Sequence, residues 1–281
     1  MIDSKTYKVA VSLYEIACLD LESAVLLYNN KVYSNSIFNL QQCIEKLTKS
    51  LGLTFEIIKT DQLRSINHFP HKVYKHASEN TLKELNESDF QFDDSISNAL
   101  EIHKTNLEQG LKWINSQRNA DFQYIDIEEL NELLKFIIGE KPTEELNHNT
   151  IARDLAEQLK NFAEKVNIEN KSLKSYILEY SEKSKTDIFK LIADVELVSY
   201  ALNRSLLLLS LILSPHQNVS RYPCEECGAS PIYEYDENHP IIIAFEKIVW
   251  IINTSIDMYE KLFNTLIQTE PEEKPADNIK G

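Results

Sequence analysis

The stretch LDLESAVLLYNNKVYSNSIFNLQQCIEKLTKSL, residues 19–51, decides the fold. It reads as the end of one helix, a short Asn-rich turn and a second helix. Upstream and through it, Val9, Leu13, Ile16, Asp20, Ala24 and Leu27 recur every three or four residues. All but Asp20 are apolar, which predicts a first helix over 5–29. Asn29 and Asn30 can end it, because Asn tolerates the left-handed conformation. A second stripe, Ile37, Leu40, Ile44, Leu47 and Leu51, predicts a helix over 34–52, with Ser34 as N-cap and Gly52 as its stop. Two long helices joined this tightly should pack antiparallel.

Composition extends the helical reading to the rest of the chain. Only five of 281 residues are Gly and eight are Pro, whereas a sheet-rich fold needs more turn residues. Residues 54–92 read as a turn and one short helix. Asp93 or Asp94 can cap a helix reaching about 116. Asp126-Ile127-Glu128-Glu129 opens another, with carboxylates where the helix dipole favours them. Pro142 suits the start of an amphipathic helix carrying Ile151, Leu155, Leu159, Phe162 and Val166. A long helical region, 171–213, ends at Pro215, and a last helix spans about 240–267. The expected architecture is all-α: one elaborated antiparallel helical bundle over 1–268 and a polar, disordered tail over 269–281. Its core comes from about 5–76 and 186–268, with a helical insertion over about 80–180.

The formal charge is −15, from 29 basic and 44 acidic residues. Such a surface repels polyanions on average, and only five residues are Arg, the side chain best suited to phosphate. Broad nucleic-acid binding is therefore disfavoured and a local basic site is not. Residues 1–76 hold nine basic and seven acidic residues, while 121–145 hold two and eight, so the N-terminal part is the expected polyanion surface. The apolar runs Leu206–Leu213 and Ile241–Val249 are too short for a bilayer, and the start lacks a basic region followed by an apolar run. A soluble cytoplasmic protein is expected. No Gly-rich phosphate loop occurs, and one Glu-x-x-His spacing at 145–148 is too little for a di-iron bundle. No cofactor is expected.

Phe38-Asn39-Leu40-Gln41-Gln42-Cys43-Ile44-Glu45-Lys46-Leu47-Thr48-Lys49-Ser50 resembles the second helix of the HEPN superfamily, in the branch that pairs with nucleotidyltransferases. Tyr33 fits that family's short interhelical turn, and His68 sits where the branch often has a His before a short helix. Ser220-Arg221-Tyr222-Pro223 resembles a further family signature, Arg-Tyr-Pro. The resemblance implies a helical bundle in a bacterial stress, toxin–antitoxin or phage-defence setting. It implies either a metal-independent endoribonuclease using Arg and His, completed by dimerisation, or a non-catalytic module binding RNA, a nucleotide or a protein. A homodimer is the implied assembly.

Metal-independent RNA cleavage needs a group titrating near neutrality and a cation for the crowded phosphate, roles that His and Arg supply. Arg64 with His68 or His71 is one candidate set, with six residues between Arg64 and His71. The other reading of these residues is a polar loop that caps neighbouring helices. Arg221 and His239, with seventeen residues between them, form a second set. The other reading has Arg221 and Tyr222 lock the loop on the bundle end, with His239 capping or bordering the helix that Pro240 starts. Gln41, Gln42, Glu45 and Lys49 share a broad helix face, with Glu45–Lys49 in the favourable i,i+4 order. They form either a polar binding groove, with Tyr222 as a further binding residue, or a solvated pair with interhelical hydrogen bonds. Cys224 and Cys227 form one Cys-x-x-Cys. With His216 and His239 they could make a zinc set of unusual spacing, and an unliganded thiol pair is the simpler case. No metal site is assigned.

Overall fold

Three small residues on each of two helices set the arrangement. In the computed structural model the described residues are 3–87, 94–116, 122–138, 187–223 and 230–268. Helix α1 spans Ser4–Asn29 and α2 spans Tyr33–Thr54. Ala10, Ala17 and Ala24 recur every seven residues on α1 and are fully buried. Ser36, Cys43 and Ser50 recur every seven on α2 and are buried as completely. Ser36 Oγ donates to the Ala24 carbonyl at 2.8 Å, and Ser50 Oγ donates to the Ala10 carbonyl at 2.7 Å. Both pairs fit one antiparallel register, which places Cys43 opposite Ala17. Small side chains let the backbones approach closely enough for a hydroxyl on one helix to reach a carbonyl on the next. The buried stripe of α1 is therefore Ala10, Ala17, Leu21 and Ala24, rotated from the one expected, and Ile16 is exposed. Counting bulky residues favours the wrong face when the contact is made by alanine. The expected stripe of α2 is buried throughout.

The turn between them is a Schellman closure. Val32 N donates to the Leu27 carbonyl and Lys31 N to that of Tyr28, both at 2.9 Å. Lys31, rather than Asn29 or Asn30, takes the positive φ of 59°. Helix α2 starts at Tyr33 with no side-chain cap, so Ser34 lies inside it. Gly52 does not stop α2 either. The helix runs through it to Thr54, and a Cβ at Gly52 would lie 2.8 Å from Val73 Cγ1 and 3.0 Å from Ile58 Cγ1. Gly52→Ala ordinarily gains about 1 kcal/mol in a helix, but overpacking costs about 1–3 kcal/mol. The variant is expected to lose about 1 kcal/mol in urea unfolding.

After α2 comes a 3-10 turn at Thr60–Gln62 and a short α3 at Leu63–Ile66. Helix α4, His71–Glu87, is longer than the expected short helix, because Pro70 stands just before it rather than within it. Val73 of α4 joins Ala10, Leu53, Ile58 and Ile66 in one apolar cluster. Helix α4 packs on α5, Asp94–Ser116. A 3-10 turn at Phe122–Tyr124 leads to α6, Ile127–Ile138, whose first turn is capped by Asp126 Oδ1 accepting from Glu128 N and Glu129 N. Arg204 Nη2 donates to the Ile137 carbonyl at 3.0 Å, which satisfies an otherwise open acceptor at the C-terminus of α6.

Helix α7 spans Asp187–Leu213 and ends just before Pro215. Between Pro215 and Pro240 lie two short helices, α8 at His216–Val219 and α9 at Pro231–Glu234. Pro240–Ile243 forms α10, and after a break at Ala244 the last helix, α11, runs from Phe245 to Gln268. Helices α8, α9 and α10 all contact α2. The Tyr28 ring of α1 stacks on Phe245 with centroids 3.9 Å apart and an interplanar angle of 2°. The first two helices are thus met by the terminal segment. The described residues contain no strand, so the all-α expectation holds. None of their helices is long and apolar enough to cross a membrane.

The chain falls into two compact units, one of 1–137 with 204–256 and one of 138–203 with 257–281. Every site residue discussed below belongs to the first. The stripe at 151–166, Pro142, Cys224, Cys227 and the 269–281 tail lie outside the described residues.

Candidate functional site

Glu45 is the centre of the polar face of α2. Its side chain is 7% exposed, a costly place for a carboxylate without partners. Lys49 Nζ donates to Oε1 at 2.8 Å. Gln41 Nε2 donates to Oε2 at 3.2 Å, and His68 Nδ1 lies 3.0 Å from the same oxygen. Burial alone would raise the Glu45 pKa. Hydrogen bonds from Lys49, His68 and Gln41, with the Lys49 charge, outweigh it and hold the carboxyl below its ordinary value. Gln42 bridges the rest of the face, donating to Gln41 Oε1 at 2.7 Å and accepting from Lys46 Nζ at 3.0 Å. Lys46 in turn pairs with Asp20 of α1 at 2.6 Å. Asp20, the polar exception in the first sequence stripe, is there to receive Lys46. All four α2 residues singled out from sequence therefore belong to one network, and His68 joins it from the segment before α4.

His68 is the solvent-facing member, with 46% of its side chain exposed. Asn67, just before it, has a positive φ of 50°, which turns the chain after α3. With Nδ1 on Glu45, Nε2 is the nitrogen left for solvent or ligand. A buried carboxylate that fixes the orientation of a half-exposed imidazole is the arrangement general acid–base chemistry uses.

Arg221 approaches the same helix from the α8 side. The turn after α8 is fixed by Arg221 N and Tyr222 N, which donate to the Asn218 carbonyl at 3.0 and 2.9 Å. The Arg221 guanidinium carbon lies 4.6 Å from the Phe38 ring centroid and 4.9 Å from that of Tyr222. Arg221 and Tyr222 are both exposed. Phe38, Gln42, Glu45 and Lys49 are spaced four, three and four residues apart, so they line one face of α2. Arg221 and His68 thus meet that face two turns apart, roughly 10 Å along the axis.

The other candidates are placed elsewhere. Arg64 is exposed on α3, while His71 is buried at the start of α4, edge-on to Phe69 at 5.9 Å. His239 caps α10, its Nδ1 accepting from Ile241 N at 3.3 Å. Its ring packs 4.7 Å from Tyr235 and 5.7 Å from His216. His216 is fully buried, with Nδ1 2.7 Å from the Tyr235 hydroxyl. Burial, then the neighbouring His239, push the His216 pKa down to about 3, against a smaller opposing effect of the Phe122 backbone. His239 is also lowered, by burial, with Asp236 opposing.

These histidines make a testable claim about stability. His216 is neutral in the folded protein and protonates below about pH 6.5 once unfolded, so the unfolded state binds more protons as pH falls. Its stabilisation is complete above 6.5 and is lost on going down toward 3. Urea unfolding is expected to be about 2 kcal/mol weaker at pH 5 than at pH 8. His216→Gln should flatten that dependence.

Among the described residues, no group of three or more His, Cys, Asp or Glu side chains could hold a metal ion. Two open grooves of about 580 Å³ each flank the α1 N-terminal region, and neither is lined by Glu45, His68 or Arg221. In the α2 strip Gln41, Glu45 and Lys49 are buried, while His68, Arg221 and Tyr222 are its exposed members. Sequence reasoning missed Phe38 and Asp20 as parts of this site. The signal for Phe38 was its place four and seven residues before Gln42 and Glu45.

No curated protein and no solved structure matches the chain. The family model described as HEPN domain matches residues 10–167, more than half of the 281 residues. That range includes α1 from Ala10 onward, α2, Glu45 and His68, together with much of the stretch read from sequence as an insertion. Arg221 and Tyr222 lie beyond it. On this match and its all-helical structure, the chain belongs to the HEPN family.

Proposed function

We propose that this HEPN protein acts in bacterial stress or phage defence as a metal-independent endoribonuclease. Its α2 strip would receive the RNA backbone. His68, oriented by Glu45, moves the proton at the reacting oxygen through Nε2. Arg221 binds phosphate. The observation that carries the reading is the hydrogen bond between half-exposed His68 and buried Glu45, on the helix face that also holds Phe38 under Arg221. Arg64 is a further exposed cation on the segment that carries His68.

A second reading is favoured by one feature. Arg221 and His68 stand two turns apart on α2, farther than one phosphate spans, as in a binding strip without chemistry. The same face then holds RNA, a nucleotide or a protein partner, and a second copy is not needed to complete it.

The test uses the full chain with mixed single-stranded RNAs in excess chelator. Cleavage by the wild type that falls at least about 100-fold in both His68→Ala and Arg221→Gln supports the endoribonuclease. Binding without cleavage, weakened by Arg221→Gln, supports the second reading. Neither binding nor cleavage contradicts the endoribonuclease and the RNA-binding form of the second reading.

A further inference from the structure

We infer that Phe38 is a positioning residue that holds the Arg221 guanidinium in place for a phosphate, a role that rests on reading Arg221 as a phosphate ligand. Among the described residues no ion pair joins Arg221 to a carboxylate. Its contacts are two aromatic rings instead, Phe38 at 4.6 Å and Tyr222 at 4.9 Å. Rings attract the faces of a guanidinium and leave its in-plane N–H groups open. Those edges form the fork that matches phosphate oxygens. An unrestrained surface Arg would have to give up much rotamer freedom on binding, and one held against two rings has already given up part of it.

Phe38 can do this because it is fixed itself. It lies in the second turn of α2, half-buried, between the fully buried Ile37 and the Leu40 core position. Tyr222 moves with the same turn as Arg221, so it cannot set the position of Arg221 relative to Glu45 and His68. Phe38 ties the Arg221 turn to the helix that carries Glu45, and so sets the spacing between cation and imidazole.

The test has two readouts on the full chain: the Arg side-chain Nε–H resonances, with Arg221→Gln identifying the peak, and affinity for single-stranded RNA over a salt series. F38L is expected to remove the ring-current displacement of the Arg221 signal. It should weaken RNA binding roughly threefold to tenfold and keep the salt slope. F38Y should retain both the signal and the affinity. R221Q should lower the slope by about 0.7. F38M, which fills the space without a ring, replaces F38L should that variant not fold. An R221Q loss of affinity with an unmoved Arg221 signal in F38L overturns the role of Phe38 alone. So does a moved signal with unchanged affinity. An R221Q variant with wild-type affinity and slope overturns the phosphate reading beneath it.

Discussion

Glu45→Ala is expected to lose about 3 kcal/mol of unfolding free energy at neutral pH, measured by urea titration. The cost is not the strength of one ion pair. Lys49 is 11% exposed, so removing the carboxylate leaves an ammonium in the protein with its partner gone. Gln41 and His68 lose an acceptor as well. Replacing both charges by apolar groups, Glu45→Leu with Lys49→Met, should recover much of the loss, because the desolvation penalty leaves with the pair. Glu45→Gln should fall between them. The Glu45 contribution is present above about pH 4.5 and disappears as pH falls through its depressed folded value, so its loss overlaps the acid end of the range over which His216 acts. A Glu45→Ala loss under about 1 kcal/mol would mean that solvent reaches Lys49 in the folded protein.

Ala17→Leu is expected to be about as damaging, near 3 kcal/mol, from a change that adds apolar surface. Ala17 is fully buried in the seam where Ser36 and Ser50 reach carbonyls of α1. A leucine must push the helices apart, which breaks those hydrogen bonds and leaves buried polar groups unsatisfied. Ala17→Ser should cost under about 1 kcal/mol. Circular dichroism melting distinguishes the two, and equal midpoints would show that the seam is looser than its hydrogen bonds require. The Cys43 thiol gives a companion check. Burial pushes its pKa up, so it should resist alkylation until the protein unfolds, and Ala17→Leu should expose it.

What could be read from sequence followed from how each signal is encoded. The α2 stripe was plain because it is made of Ile and Leu at regular spacing, and hydrophobic burial writes that pattern directly. The α1 contact face was not, because alanine carries little hydropathy and its value lies in what it lets a neighbour approach. Gly52 looked like a helix stop for a similar reason: a missing side chain reads as flexibility, whereas here it makes room for Val73 and Ile58. In the site, Gln41, Gln42, Glu45 and Lys49 were legible because i,i+4 spacing is local. That His68 belongs with Glu45, 23 residues away, depends on the turn at Asn67 and on Pro70 starting α4. The placement of Arg221 over Phe38 depends on α8 packing on α2. No local pattern records that contact.

Photocrosslinking maps the RNA path most directly. Single-stranded RNA carrying 4-thiouridine, irradiated with the full chain and read by mass spectrometry, should attach to Phe38, His68 and Tyr222, the side chains flanking the α2 strip. Crosslinks confined to peptides outside 33–76 and 216–223 would contradict the assignment of that strip as the place where this protein meets its ligand.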